Sequence, residues 1–291
     1  MTLPAETPLV LGARGLAGSS IAARLETVFP GTIAATRAEL DVTDRFRLEA
    51  EFERLRPSVI VNAAAISDGD ACEVDPEAAE RVNSDGAANV ARACVAAGVR
   101  LVHLSTVAVF DGAAAGPYVE SDRPEPRSVL GRTRRAGEAR IEEARGPHLI
   151  LRTGWLFGPA PSCVPGAILR RARDEGAVRL VADETGSPAL AADLADAVLR
   201  LLATPARGIV HFANTGACSR HAFGRETLRL AGLDPEAAVA VGREGAGRLA
   251  PRPVAALLDT ALYARLTGAA PRPWEAALAH CLRAPAPGEE S

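Results

Sequence analysis

Three glycines, Gly12, Gly15 and Gly18, follow directly on a short apolar run, Leu9-Val10-Leu11. An amphipathic stretch comes next, Ser19 to Phe29, with Ile21, Leu25 and Val28 at helical spacing. Strand, tight turn and helix in that order make a cradle for a dinucleotide. Gly12 allows the sharp turn, Gly15 lets backbone approach a pyrophosphate, and Gly18 lets the helix pack on the strand. The phosphates then sit at the helix N-terminus. A glycine-rich turn without a ligand is the plainer alternative; the position between a first strand and a first helix argues for binding. Arg37 ends a second short strand, Thr32 to Thr36. An acid at that point accepts from a ribose 2′-hydroxyl, whereas a basic residue tolerates a 2′-phosphate. No acid adjoins Arg37 in the chain, which favours NADP(H) over NAD(H). Ser105-Thr106 closes a fourth strand, at the edge where open α/β sheets take their ligands.

The elements that must position these residues alternate. Thr43 or Asp44 caps a helix carrying Phe46, Leu48, Phe52 and Leu55. Val59-Ile60-Val61 reads as a buried strand running into Asn62-Ala63-Ala64-Ala65, whose small residues let backbone and cofactor come close. Asp75-Pro76 opens a long helix to about Ala97, ended by Gly98, with Asn83 in its middle to tie neighbouring backbone together. Leu101 to Leu104, a helix from Val129 to Ala144 and Leu149-Ile150-Leu151 continue the pattern. The fold expected is α/β, a doubly wound parallel sheet with a smaller C-terminal substrate lobe. Residues 1–160 would form the dinucleotide-binding domain, joined again by 187–212. The lobe would take 161–186 and 213–283, and 284–291 would be a disordered tail.

Composition sets outer bounds. The net charge of −3 offers nothing to nucleic acid or an anionic membrane, and no apolar run reaches the length of a membrane span. A cytoplasmic protein is expected. Cys72, Cys94, Cys163, Cys218 and Cys281 are scattered, with neither disulfide nor metal-ligand spacing, so no metal is expected. All 33 basic residues are arginine, so an arginine where another protein has lysine carries little information.

A run of short stretches in one order carries a family likeness. They are Leu40-Asp41-Val42-Thr43-Asp44, Asn62-Ala63-Ala64-Ala65, His103-Leu104-Ser105-Thr106, Val109-Phe110-Asp111-Gly112, Gly116-Pro117-Tyr118, Gly131-Arg132-Thr133 with Ala136-Gly137-Glu138, and Leu151-Arg152-Thr153-Gly154-Trp155. Gly186-Ser187-Pro188, Asp193-Leu194-Ala195, Ala250-Pro251-Arg252-Pro253 and Leu258-Asp259-Thr260 complete the set. The chain resembles the extended short-chain dehydrogenase/reductases, specifically the dTDP-4-dehydrorhamnose reductase branch, from about residue 9 to 282. The resemblance implies a Rossmann fold and a nicotinamide cofactor held by Gly12, Gly15, Leu16 and Ala17. It also implies adenine contacts from Asp41 and Val42 and further contacts from Ala63, Ala64 and Ala65. The family transfers hydride to a sugar-nucleotide ketone. A tyrosine supplies the proton, a lysine holds the nicotinamide ribose, and a serine or threonine polarises the carbonyl.

The family's Tyr-x-x-x-Lys falls here on Leu130-Gly131-Arg132-Thr133-Arg134. Leu130 has no proton to give; Arg134 keeps the charge with a different donor geometry. Val107-Ala108, Ala189-Leu190 and Ala255-Ala256 stand where the family has polar residues, which makes a drier pocket suited to a smaller or more apolar ligand. Thr106 remains for the carbonyl, Arg134 for the ribose or for developing negative charge, and Trp155 for the substrate's sugar. His103 and Asp111 read as structural; Cys163, His211, His221 and Glu120 are weaker candidates. The expected function is an atypical NAD(P)-dependent enzyme on a small carbonyl or sugar-derived substrate, redox or non-redox. The alternative is a catalytically silent regulatory subunit, for which the branch has a precedent in the regulatory subunit of methionine adenosyltransferase. A homodimer or a protein partner stays open.

Overall fold

The computed structural model describes residues 7–160 and 162–283; the expected tail at 284–291 lies outside them. In chain order, β1 (Pro8–Leu11) leads into α1 (Leu16–Glu26), β2 (Ile33–Ala35), α2 (Arg45–Leu55) and β3 (Val59–Asn62). Two short helices, α3 (Gly69–Val74) and α4 (Pro76–Glu80), precede α5 (Gly86–Ala97), β4 (Arg100–Thr106), α6 (Val129–Glu143) and β5 (His148–Thr153). Then come β6 (Trp155–Phe157), α7 (Val164–Glu175), β7 (Val178–Val181), β8 (Thr185–Gly186), β9 (Pro188–Leu190), α8 (Ala191–Leu202) and β10 (Gly208–Phe212). The chain closes with β11 (Cys218–Ser219), α9 (Arg220–Leu230), β12 (Ala238–Val241), β13 (Ala255–Ala256), α10 (Ala261–Thr267) and α11 (Trp274–Arg283).

Six parallel strands form the central sheet in the order β10-β5-β4-β3-β1-β2. Side chains alternate across it because a strand's period is two. Val10, Val61, Leu104, Leu151 and Val210 meet α1 and α8 on one face. Leu9, Leu11, Ile60, Leu101 and Ile150 meet α2, α5 and α6 on the other. This is the doubly wound sheet expected. Its order reverses between β1 and β3, the crevice where such sheets bind ligands. Leu11 pairs with Asn62, so Gly12 and Ala63 leave the sheet side by side.

The long helix expected from Asp75 is interrupted. Asp75 caps α4, and residues Arg81–Asp85 form one π-helical turn before α5. The wider turn carries the buried Asn83 amide, which accepts from the Ile66 N–H at 2.9 Å and donates to the Ile66 carbonyl and the Thr133 hydroxyl. Three segments distant in sequence are tied by one side chain, and the break in the helix serves that contact.

A second core holds Phe157, Ile168, Val178, Leu190, Phe223, Trp274 and Leu278. The strand β10 returns to the main sheet beside β5. The helix α10, within the stretch expected for the lobe, instead packs Tyr263 on Phe212 in the main core. Replacing Asn83 by Ala should remove its three hydrogen bonds and cost about 2–3 kcal/mol. A urea titration, with the midpoint lowered at unchanged slope, checks this.

Candidate active-site cleft

The glycine turn is built as its spacing implies, each glycine for a different reason. Gly12 has φ +75°, and a Cβ there would stand 2.6 Å from the Ala64 nitrogen. Gly18 packs on the Gly12 carbonyl with no room for a Cβ. Gly15 faces open space apart from the Gly12 oxygen at 3.4 Å. It caps α1 without a side-chain hydrogen bond, and the first turn has no acid. The amides of Leu16 and Ala17 therefore begin a helix whose N-terminal N–H groups and dipole await an anion. The residues present fit a dinucleotide pyrophosphate.

Around this cradle the other expected residues are partly rearranged. Ala63 donates to the Leu11 carbonyl at 3.0 Å, and Ala64 to the Asn62 side chain at 3.1 Å. With Ala65 they form a lip of small, partly exposed residues beside Gly12. Arg37 does have an acid beside it in space: its Nε donates to Asp41 Oδ2 at 2.9 Å. Its side chain remains 79% exposed, so the rest of its fork is free. The other Asp41 oxygen accepts from the Thr43 N–H and hydroxyl. Val42 turns inward, buried against Gly86, leaving only its backbone near the surface; its carbonyl accepts from Asn89.

Thr106 ends β4, partly exposed. Its oxygen accepts from the Ala108 N–H at 3.2 Å, which leaves the hydroxyl proton to donate outward. Leu130 is buried in an apolar cluster with Cys72, Ala79 and Val129. Arg134 is largely buried on α6, and its Nη2 donates to the Leu104 carbonyl. Burial pushes its pKa down to about 10, against the pull of Glu138 and Cys72. Both tyrosines are buried and engaged elsewhere. The Tyr118 hydroxyl donates to Asp111 at 2.7 Å and accepts from Gly112, and Tyr263 is buried on Phe212.

The weaker candidates are occupied elsewhere. His103 is buried, accepts from Asn62 through Nδ1, and is held neutral by burial and by Arg134. His211 is fully buried, and burial followed by Arg152 pushes its pKa down to about 4. Glu120 accepts from the His211 N–H, and His221 pairs with the Ala238 carbonyl. Burial raises the Cys163 thiol, against the backbone at Ala160 and Gly158.

Two groups went unread in the sequence. Ser105, Glu138 and Arg152 form a buried network: Arg152 grips Glu138 with two bonds of 2.9 and 2.8 Å, and Ser105 donates at 2.6 Å. An arginine inside the apolar strand Leu149–Thr153 was the available signal, since a buried charge demands a partner. The second group is arginines. The Arg220 guanidinium lies 3.9 Å over the Trp155 ring, Arg248 pairs with Glu184 at 2.6 Å and Arg252 with Asp70 at 3.3 Å. Trp155 rests on Gly186, which has no room for a Cβ. This part of the cleft is cationic, not merely drier as expected.

Fold and cleft together define a dinucleotide-cradling α/β protein of the reductase type. The chain belongs to the RmlD substrate-binding domain family, whose model matches residues 7–286. It is 37% identical over 294 residues to dTDP-4-dehydrorhamnose reductase of Streptomyces griseus, covering 96% of each chain. It is 32% identical to the spore coat polysaccharide biosynthesis protein SpsK of Bacillus subtilis, over 94% of this chain and 96% of that one. Among solved structures, the dTDP-4-dehydrorhamnose reductase of Bacillus anthracis in complex with NADP superposes with a TM-score of 0.90 at 29% identity, covering 95% of this chain and 98% of that one. The family read from the short motifs is the family that matches.

Burial pushes the Glu138 carboxyl up, but the Arg152 bonds and charge, with Ser105 and Arg135, outweigh it and hold the carboxyl below the usual range. Its stabilisation is therefore complete above the ordinary carboxylate pKa and lost as pH falls through the lower folded value. Glu138→Gln leaves the Arg152 charge buried alone and should cost about 3–5 kcal/mol at pH 7. Denaturant titrations from pH 7 to 3 should show that gap narrowing toward the acid end.

Proposed function

We propose that this chain is an NADP(H)-binding enzyme of the reductase type that acts on a carbonyl compound of the nucleotide-sugar class without a phenol as its acid. The observation that carries this reading is the uncapped N-terminus of α1 beside the open face of Gly15. The dTDP-sugar reductase relatives and the NADP complex of the Bacillus anthracis neighbour support the same cofactor and substrate class. Bound there, the cofactor would supply a hydride. The N–H groups of Leu16 and Ala17 hold its pyrophosphate, which the open face of Gly15 lets approach, and Ala63 to Ala65 let its nicotinamide half pass close to the backbone. Arg37, joined to Asp41 by one nitrogen, keeps the others for a 2′-phosphate.

At the carboxyl end of β4, the Thr106 hydroxyl donates to the substrate's carbonyl oxygen and stabilises the negative charge that gathers there. Arg134, held by one nitrogen on the Leu104 carbonyl, keeps the others for the nicotinamide ribose or for negative charge developing at the substrate. The proton that completes a reduction comes from water or from the substrate. The same polarised oxygen serves a dehydration or isomerisation equally well.

Leu130 in its apolar cluster favours a second reading, a silent cofactor-binding subunit. That reading requires a stable partner in a pull-down and no turnover; a lone chain or homodimer that turns over a carbonyl substrate eliminates it. For the enzyme, NADPH should bind at least about tenfold tighter than NADH, and Arg37→Ala should erase the preference. Thr106→Val should lower turnover of a dTDP-4-keto-6-deoxy sugar about a hundredfold while the NADPH Kd stays put. Failure of NADPH, NADP⁺, NADH and NAD⁺ alike to bind in calorimetry would overturn the cofactor reading.

A further inference from the structure

Arg248 and Arg252 lie near Arg220, which stacks on Trp155, and the charges of the three do not balance. Arg248 is paired with Glu184 and Arg252 with Asp70. Arg220 has no carboxylate partner among the described residues, although it is partly buried and stacked on the indole. Burial, then Arg248 and Arg252, push its pKa down to about 10, against Cys218 and Glu184. It stays charged at neutral pH, held beside two like charges with one positive charge left over. A guanidinium in that position is unfavourable unless an anion completes it. Stacking on Trp155 uses the face of the guanidinium and leaves its edge, a planar fork of N–H donors that matches a carboxylate bidentately.

The place of the cluster indicates which part of a substrate it meets. Thr153 is the register partner of Thr106, and Trp155 follows two residues later, held by its N–H to the Ser187 carbonyl at 2.8 Å. Arg252 comes from the other side, against Gly69 at the start of α3, just after the Ala63–Ala65 lip. The cluster therefore flanks the reacting end of the cleft. One surplus positive charge balances one carboxylate; a diphosphate would bring two negative charges up to Glu184 and Asp70.

Resting on the nucleotide-sugar reading above, we propose that Arg220, backed by Trp155 and flanked by Arg248 and Arg252, is a specificity subsite for a single carboxylate on the sugar part of the substrate, separate from its diphosphate. The natural substrate class is then an acidic nucleotide sugar, and Trp155 acts as a platform for Arg220 and not as a bare surface for a neutral ring.

Calorimetry with dTDP-glucose and dTDP-glucuronic acid, which differ in one carboxylate, tests this in the presence of NADP⁺. The acidic sugar should bind at least about tenfold tighter. Arg220→Met should bring the ratio of the two affinities to about one, and Arg220→Lys should keep part of it. Thermal melts of both variants report that they are folded, and Arg248→Met serves as a second route to a reduced ratio. Equal affinities in the unaltered protein overturn the subsite, as does an Arg220→Met variant that weakens both sugars alike, which would assign the arginine to the diphosphate. NADP⁺ binding, measured alone, separates the two readings. Cofactor bound without a carboxylate preference overturns the subsite only; loss of cofactor and of both sugars overturns the function with it.

Discussion

A buried pair of opposite charges holds the cleft in shape. Glu138 and Arg152 are essentially without solvent, and the guanidinium also lies 5.0 Å from the Phe110 ring centroid. The pair fixes α6 to the centre of β5, and Ser105 links both to β4. Everything on the inner face of α6 inherits that placement: Leu130 in its apolar cluster, Thr133 at the Asn83 amide, Arg134 on the Leu104 carbonyl. Such a pair is a poor source of net stability, because desolvation consumes most of the attraction. What it supplies is geometry, since neither charge tolerates losing the other. Arg152 Nη1, Thr153 Oγ1 and His211 Nε2 are buried beside it without hydrogen-bond partners among the described residues, so the network has little slack.

Leu130 contributes to packing beneath the cleft. A leucine there is packed on Cys72, Ala79 and Val129, and Ile66 lies against the same cluster. The apolar contact joins α3 and α4 to α6. Arg134, one turn later, donates to a main-chain carbonyl. The two are neighbours on one helix face. The polar chemistry that remains is at Thr106 and, farther out, in the arginine cluster.

How much of this was legible depends on the range of the interaction. Gly12, Gly15 and Gly18 announced their roles because a tight turn, an open approach and a helix-strand contact are all local. The strands Val59–Asn62 and Gly208–Phe212 were marked by apolar runs, and Asn83 by standing polar in the middle of a helix. The π turn around Asn83 was hidden, since one turn's widening leaves the composition unchanged. Arg37 has no acid adjoining it in sequence because Asp41 is four residues away, and only the turn brings them together. Arg220, Arg248 and Arg252 are ordinary surface arginines in the sequence, in a chain whose every base is arginine. Their meeting around Arg220 is a property of the folded chain, and so is the depth at which Arg134 sits.

The path of the chain through the main core has a consequence for biosynthesis. β10 supplies the sheet's edge after the excursion through α7 and β7, and Tyr263 on α10 packs against Phe212 later still. The nucleotide-binding half is not a contiguous N-terminal block that closes while the ribosome makes the rest. Its hydrophobic faces stay incomplete until residues near 266 emerge. The nascent protein must therefore carry an open sheet edge beside β5 until β10 emerges, and a fragment ending before α10 would expose the apolar surface on which Tyr263 rests.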